Sequence, residues 1–279
     1  MNRPQLLGRR RPNLIGEVVV VLCLLRVYDF VRAHAEVRAR PALEHGREVL
    51  ALETHLRIDI ERSLNHWVAR HDFVSFLASH WYQFAHLTVT LTVLAWIWLR
   101  HPEAYRRART ALVVINIIGL AVFLLLPVAP PRLLPGVGFI DSVANAGFGR
   151  NHGGPVPADQ YGAMPSLHLA WAVWTTVVVR RVVRRPVIRR AWIAYPVITT
   201  VVVVVTGNHY LLDAVVGTGV ALVALSLRPT RRVDKESADQ TVGQPAEQTV
   251  GQPAEQQVTG APPPDGVDEP ASPLARACQ

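Results

Sequence analysis

The sequence is poor in charge and in cysteine. Only 18% of its residues are charged, whereas a soluble domain carries about a quarter. Its two cysteines, Cys23 and Cys278, lie in an apolar run and at the C-terminus, which argues against a disulfide, and the chain has no CxxC pair or Cys/His spacing for a metal. With 50% hydrophobic residues, the composition excludes fibrous, disulfide-rich and wholly disordered proteins and favours a protein whose main solvent is lipid.

Lysine is almost absent. Lys235 is the single lysine, so arginine supplies nearly all of the positive charge. The formal net charge of +8 does not indicate nucleic acid, because the arginines form short clusters between apolar runs. We therefore expect a membrane protein with no nucleic-acid partner.

Six apolar runs approach the roughly 20 residues that a helix needs to cross a bilayer. In lipid a helix pairs its own backbone groups whereas an isolated strand does not, so even the valine-rich runs are predicted to be helices. The runs are 14–31, 81–99, 111–129, 167–183, 191–206 and 210–227. The sequence thus predicts an all-α fold, a polytopic six-helix membrane bundle over residues 14–228.

Arginine clusters give the orientation of these helices. They precede the first run, separate the second from the third, surround the fourth-to-fifth turn and follow the sixth. The positive-inside rule makes that side cytoplasmic, so both termini, including residues 1–13, are predicted to be cytoplasmic in the plasma membrane. A cleaved signal peptide is the alternative for the first run, and cleavage would not change the orientation of the later helices.

The segment between the first two runs has a helical pattern of its own. Apolar residues from Val49 to Trp67 recur at the period of an α-helix, with charged residues on the other faces. This pattern predicts an amphipathic helix on the outer surface or packed across the bundle, with a scaffold role favoured over a substrate gate.

The C-terminal tail has a composition that cannot build a core. The sequence TVGQPAEQ begins at Thr241 and is repeated at once, and three prolines follow. Residues 229–279 are therefore predicted to be a disordered cytoplasmic extension.

Three polar motifs are predicted to lie together at the outer ends of the helices. Polar groups at membrane depth are tolerated only where they face a cavity or the bundle interior. The motifs are PVAPPRLLP from Pro127, AMPSLH from Ala163 and TGNHYLLDAVVG from Thr206. Ser166 and Asn208 are predicted to cap the helices that follow them, which would point two N-termini at one pocket. Such a pocket suits an anion, phosphate above all.

Side chains in these motifs suit phosphoryl transfer. His209 and Asp213 are four residues apart on one helix face, so the carboxylate can hold one ring nitrogen while the other attacks phosphorus. His168 can protonate the leaving oxygen, and Arg132 can hold the equatorial oxygens. Arg150 is a further candidate phosphate contact.

The same residues allow other interpretations. His209 and Asp213 could simply stabilise a helix, and with His168 they could bind a metal. No HExxH motif or further acidic pair accompanies them, so neither a metal nor a cofactor is predicted. Tyr82 and His86 could support the site, although bundle packing is the simpler interpretation.

MPSLHLAWA, followed later by GNHYLLDAVVG, resembles the phosphatidic acid phosphatase type 2 superfamily, whose pattern is PSGH and then SR, five residues, His, three residues, Asp. Leu167 stands in place of the glycine, and Val203 in place of the arginine. The usual first motif is also replaced, by PPRLLP. These departures are similar to the inositol phosphorylceramide synthase-like branch, which reads PSLH and HYxxD.

The resemblance implies a membrane enzyme without a cofactor that acts on a lipid-linked phosphate. It implies His209 as nucleophile, Asp213 as its partner and His168 as general acid. Arg132, with Ser166, Asn208 and Arg150, would contact the phosphate. A polyol such as inositol as acceptor would make the enzyme a transferase, and water would make it a phosphatase. The alternative of another class is a non-enzymatic lipid carrier or scaffold.

Overall fold

Helices make up most of the described chain. The computed structural model describes residues 12–36, 38–148 and 160–227, which all fall within one unit, Met1–Pro229. No strand occurs in these ranges, apart from an isolated bridge between Val128 and Gly162. The predicted all-α class is therefore confirmed for this part. The predictions for residues 1–11, the tail and Arg150 lie outside the described residues.

Each of the six predicted runs is mostly helical, although run 111–129 continues past the helix that ends at Leu125, and run 191–206 includes a turn at 192–193. A π-helical turn, Trp81–Ala85, leads from the fourth helix into the fifth. The helices are α1 (Leu14–Glu36), α2 (Ala39–His55), α3 (Glu61–Ala69), α4 (Asp72–His80), α5 (His86–Arg100), α6 (Pro102–Leu125), α7 (Leu167–Val182), α8 (Pro186–Ala191), α9 (Ala194–Val205) and α10 (Leu211–Ser226).

Within the described residues, three helical segments are long and apolar enough to cross a membrane. They are Asp72–Arg100, Pro102–Leu125 and Pro186–Val205, and α10 is a shorter apolar helix. Large apolar side chains such as Leu125 are exposed on their surfaces, as expected where lipid is the solvent. The six-helix topology and the cytoplasmic termini remain predictions.

The main core lies where α5, α6, α7 and α10 meet. Trp174, in the middle of α7, is fully buried there, and its indole N–H donates to the Ala108 carbonyl of α6 over 2.8 Å. Small residues of α6 and α10, including Ala111 and Ala221, make room for this large ring. This packed core therefore fixes the positions of α7 and α10 relative to each other.

The N-terminal ends of α7 and α10 are in close contact. The N–H of Ser166, just before α7, donates to the carbonyl of Asp213 in α10 over 3.1 Å. Gly217 lies against the same stretch of backbone, and a Cβ at this position would collide with the Ser166 carbonyl oxygen. A glycine is needed here because only a hydrogen atom fits between the two backbones. This contact brings the second and third polar motifs together.

The predicted outer amphipathic helix is two helices, α2 and α3, and two of its acids face inward. The chain breaks at Arg57, whose φ of 57° is left-handed. The apolar row is exposed from Leu52 to Trp67, whereas Glu53 and Glu61 are completely buried. The acids turn inward because they bind backbone N–H groups of α10.

Candidate active site

Backbone hydrogen bonds join the three polar motifs. The N–H of Ala163 donates to the Val128 carbonyl over 3.1 Å, which ties the second motif to the first. The N–H of Arg132 donates to the Gly207 carbonyl over 3.0 Å, which ties the first motif to the third. With the link from Ser166 to α10, each motif is bonded to the other two. The predicted convergence of the motifs is therefore present in the structure.

His168 and His209 meet at this junction. The Nδ1 atom of His168 is 3.2 Å from the Nε2 atom of His209, although the residues are 41 apart in sequence. His168 lies in the first turn of α7, whose start is capped by the Ser166 hydroxyl, which accepts the Leu169 N–H over 3.5 Å. The predicted Ser166 cap is thus confirmed. Gly207, with a φ of +73°, turns the chain after α9 so that His209 faces α7.

The contacts of His209 determine which ring nitrogen carries the proton. Its Nδ1 is 2.9 Å from the Ala163 carbonyl oxygen and 3.3 Å from Oδ2 of Asp213. Because a carbonyl oxygen can only accept, Nδ1 must be the protonated nitrogen. In the neutral ring, Nε2 then keeps its lone pair. His209, which is 4% exposed, is therefore oriented as a nucleophile.

Asp213 is fixed from several sides. Its side chain is fully buried, and Oδ2 also accepts the Tyr210 N–H over 3.0 Å. Its Oδ1 atom has no hydrogen-bond partner among the described residues. The carboxylate is thus held in one orientation, in which it can fix the His209 ring and stabilise positive charge that develops on it.

Tyr82 and His86 enclose the His168 ring. Tyr82 stacks on it with the ring centres 4.6 Å apart, and His86 meets it edge-on at 4.3 Å. The His86 Nδ1–H donates to the backbone carbonyl of Tyr82 over 3.0 Å, which fixes the His86 ring against the preceding turn of the helix. From the sequence, bundle packing is the simpler role for Tyr82 and His86. Their spacing of four residues, at the predicted outer end of the second run, is the feature of the sequence that indicates a shared face near the site.

Arg132 is held next to His209 by Asn208. Its Nε–H donates to Oδ1 of Asn208 over 2.8 Å, and its other nitrogens donate to Asp141 over 3.0 Å and to Gln160 over 3.4 Å. The Arg132 side chain is only 3% exposed. The ion pair with Asp141 offsets the guanidinium charge, while the planar group keeps N–H bonds to spare for an anion.

The start of α10 differs from the prediction. Its N-cap is Tyr210, so the predicted Asn208 cap is wrong. The N–H of Leu211 donates to Glu61 over 3.0 Å, and that of Leu212 donates to Glu53 over 2.7 Å. These amides are therefore occupied by carboxylates and are not free for a phosphate, because the two acids reach them from α2 and α3.

The remaining candidate positions are also defined. Ser166 and Asn208 are both buried. Val203, which stands in place of the superfamily's arginine, is fully buried in an apolar cluster with Leu169 and Ala214. Arg150 lies outside the described residues. Among residues 12–36, 38–148 and 160–227, no group of three or more His, Cys, Asp or Glu side chains is arranged to hold a metal ion.

Comparison with known proteins identifies the family. Neither a curated protein nor a solved structure matches the chain. The PAP2 superfamily matches residues 47–227, which include α3 to α10 and most of α2. The match spans more than half of the 279 residues and contains His168, His209 and Asp213. With its long apolar helices, the chain is a membrane protein that belongs to the PAP2 superfamily.

Proposed function

We propose that the protein is a lipid phosphotransferase that works through a phosphohistidine on His209. Members of the PAP2 superfamily are phosphatases and phosphotransferases. Both activities imply an enzyme that acts on a lipid-linked phosphate. The observation that carries the proposal is the state of the His209 ring. Its Nδ1 is held by Ala163 and Asp213, and its Nε2 retains the lone pair that attack on phosphorus requires.

The first half-reaction forms the phosphohistidine. The Nε2 lone pair of His209 attacks phosphorus, an N–P bond forms, and the bond from phosphorus to the lipid oxygen breaks. His168 gives its proton to that oxygen, which leaves as the lipid alcohol. Asp213 stabilises the positive charge on the substituted imidazole, and Arg132 contacts the equatorial oxygens.

The second half-reaction transfers the group to an acceptor. A hydroxyl of the acceptor attacks phosphorus, loses its proton to His168, and the N–P bond breaks, so His209 regains its lone pair. With a phosphodiester donor and a polyol such as inositol as acceptor, the product is a new phosphodiester and the enzyme is a transferase. With a phosphomonoester donor and water as acceptor, the product is inorganic phosphate and the enzyme is a phosphatase. The two activities therefore share these steps and differ in donor and acceptor.

The charges around His209 favour a phosphodiester donor. Arg132 is paired with Asp141, and Val203 brings no cation to the place where the superfamily has an arginine. A monoester dianion needs more positive charge than a diester monoanion. The proposed reaction is therefore the transfer of a phospho-head-group from a phospholipid to a polyol. We place it on the extracytoplasmic face of the plasma membrane, opposite the arginine clusters.

A head-to-head assay tests this proposal. Purified protein in lipid nanodiscs is given a labelled lipid phosphomonoester or a labelled phospholipid diester, each with and without inositol. We expect inositol-dependent transfer from the diester and only slow release of inorganic phosphate from the monoester. The His209→Ala variant should fold and insert but turn over neither substrate.

Three results would contradict the proposal in different ways. Fast phosphate release from the monoester with no transfer from the diester would leave a lipid phosphatase. Near-normal turnover by His209→Ala would remove the nucleophile. No turnover of a panel of lipid phosphates by the folded wild type would favour a carrier or scaffold.

A further inference from the structure

Two buried glutamates, one from α2 and one from α3, accept hydrogen bonds from the first turn of α10. Oε1 of Glu61, in α3, accepts the Leu211 N–H over 3.0 Å. Oε1 of Glu53, in α2, accepts the Leu212 N–H over 2.7 Å. Both side chains are completely buried. Buried carboxylates are costly, and here the N–H groups and the positive end of the helix dipole offset part of that cost.

This contact lies immediately beside the nucleophile. The two capped residues are the ones directly before Asp213, and His209 is two residues before Leu211. The distance from Asp213 Oδ2 to His209 Nδ1 is 3.3 Å, near the outer limit of a hydrogen bond. A small shift of this turn would therefore weaken the contact that orients the attacking ring.

We propose that Glu53 and Glu61 are positioning residues for the His209 nucleophile, because they fix the turn of α10 from which Asp213 orients its ring. This inference rests on the proposed phosphotransfer through His209. The two acids bind the backbone N–H groups of Leu211 and Leu212, and they act on His209 through that backbone. These bonds also explain why the two glutamates face inward.

The protonation of the pair adds a pH dependence to this role. Burial is the main cause that raises the pKa of Glu53 to about 8. The hydrogen bond from the Leu212 N–H lowers this pKa. The negative charges of Glu61 and Asp213 and a hydrogen bond with Glu61 raise it further. In the part of the chain that the structure describes, neither Oε2 atom has a hydrogen-bond partner when both acids are ionised. A proton on Glu53 can form a hydrogen bond with Glu61, so the contact between the two acids is strongest while Glu53 is protonated.

The groups around the pair do not offer a compensating cation. Asp213 and Tyr210 face it from the side of α10, and both are acids. Arg132, on the short turn Pro131–Leu133 that packs against α2, donates instead to Asp141 and Asn208. Ionisation of Glu53 therefore leaves carboxylates facing each other, and repulsion would loosen the first turn of α10.

Alanine and glutamine variants at both positions test the positioning role. Glu53→Ala and Glu61→Ala should lower kcat by roughly tenfold to a hundredfold with little change in KM, because misplacement of a reacting group by about 1 Å has an effect of this order. The glutamine variants should keep most of kcat at neutral pH, since an amide oxygen still accepts the N–H. Glu48→Ala, at an exposed position of α2, is the matched control and should behave as wild type.

The pH profile separates positioning from mere support of the fold. Wild-type kcat should fall as the pH rises past about 8, where Glu53 loses its proton. In Glu53→Gln this decline should move to higher pH, because the amide does not ionise. If the alkaline decline is identical in both proteins, the pair does not control the nucleophile.

Hydrogen exchange measures the same contact without catalysis. Exchange of the amides in residues 210–214 should speed up in Glu53→Ala and Glu61→Ala but not in Glu48→Ala or His209→Ala. Unchanged exchange and unchanged kcat in both glutamate-to-alanine variants would overturn the inference even if His209→Ala is inactive. If Glu53→Ala does not fold, the pH profile of Glu53→Gln still decides. If exchange is faster in the two glutamate-to-alanine variants but His209→Ala still turns over substrate, the proposed function is refuted. The contacts of Glu53 and Glu61 with the first turn of α10 would then still be supported.

Discussion

The Nδ1 atom of His168 and the Nε2 atom of His209 are 3.2 Å apart, so the two rings are hydrogen-bonded to each other. Since the proton of a neutral His209 ring is on Nδ1, Nε2 accepts and His168 donates in this bond. The lone pair proposed to attack phosphorus is therefore occupied by the proton that is proposed to leave with the lipid oxygen. In the proposed mechanism, the phosphate takes the place of His168 at Nε2 before either step occurs.

Asp213→Asn should almost abolish turnover. Asparagine is neutral, so it cannot stabilise the positive charge that develops on the His209 ring, and its amide N–H would compete with the Ala163 carbonyl for Nδ1. We expect kcat to fall by about 10³ to 10⁴, as for other histidines that lose a carboxylate partner. The measurement is steady-state turnover in nanodiscs, with Asp72→Asn, an exposed acid of α4, as control. A loss below tenfold would mean that Asp213 does not stabilise the His209 ring.

His168→Ala should impair poor leaving groups most. An acidic leaving alcohol departs without protonation, so a general acid matters little for it. Because His168 also acts in the second half-reaction, the quantity to compare is kcat/KM, which reports only formation of the phosphohistidine. We expect kcat/KM of the variant to approach wild type for aryl phosphate esters and to fall by roughly 10² to 10⁴ for alkyl esters, the contribution typical of proton transfer. The check is a plot of log kcat/KM against leaving-group pKa for both proteins. Parallel lines would rule out the general-acid role.

Gly217→Ala should destabilise the protein, whereas Gly219→Ala should not. A Cβ at Gly217 would collide with the Ser166 carbonyl, but one at Gly219 meets no atom within 4 Å. We expect a loss of about 1–3 kcal/mol in the free energy of unfolding at Gly217. At Gly219 the better helix propensity of alanine should give a gain of up to about 1 kcal/mol. Unfolding in detergent measures both, and equal effects would disprove the close helix contact.

Chelators should leave activity intact. The proposed mechanism draws its positive charge from imidazole and arginine groups, and no step is assigned to a metal ion. Turnover is measured before and after EDTA treatment and dialysis, and we expect the two rates to agree. Loss of activity that zinc or magnesium restores would shift the assignment of His168 and His209 from phosphoryl transfer chemistry to metal binding.

The sequence predicts the part of the site that depends on local structure. Apolar runs long enough for lipid give the helices, and the fourfold spacing of His209 and Asp213 gives their shared face. Ser166 is also predicted correctly as a cap, since Pro and Ser at a helix start act within one turn. Asn208 is not, because the turn at Gly207 starts α10 later and directs the asparagine to Arg132.

The contacts made between distant elements are those that sequence analysis misses. Tyr82 and His86 become part of the site only because α5 packs beside α7. Glu53 and Glu61 are hidden for a different reason, since an amphipathic pattern is normally oriented with its charged face toward water. Where a helix lies next to lipid, exposed apolar side chains cost little free energy. The apolar residues of α2 and α3 can then be exposed while Glu53 and Glu61 are buried.

The backbone link from Ser166 to Asp213 also bears on how the site opens. It joins the ends of α7 and α10 into one rigid support, so the two imidazoles cannot be separated by moving the helices apart. The motion that remains is rotation of the His168 side chain between Tyr82 and His86. Rotamer changes are faster than collective helix motions, which take microseconds to milliseconds. In the proposed mechanism, admission of the substrate phosphate is therefore a side-chain event, and its rate depends on how tightly these two rings pack against His168.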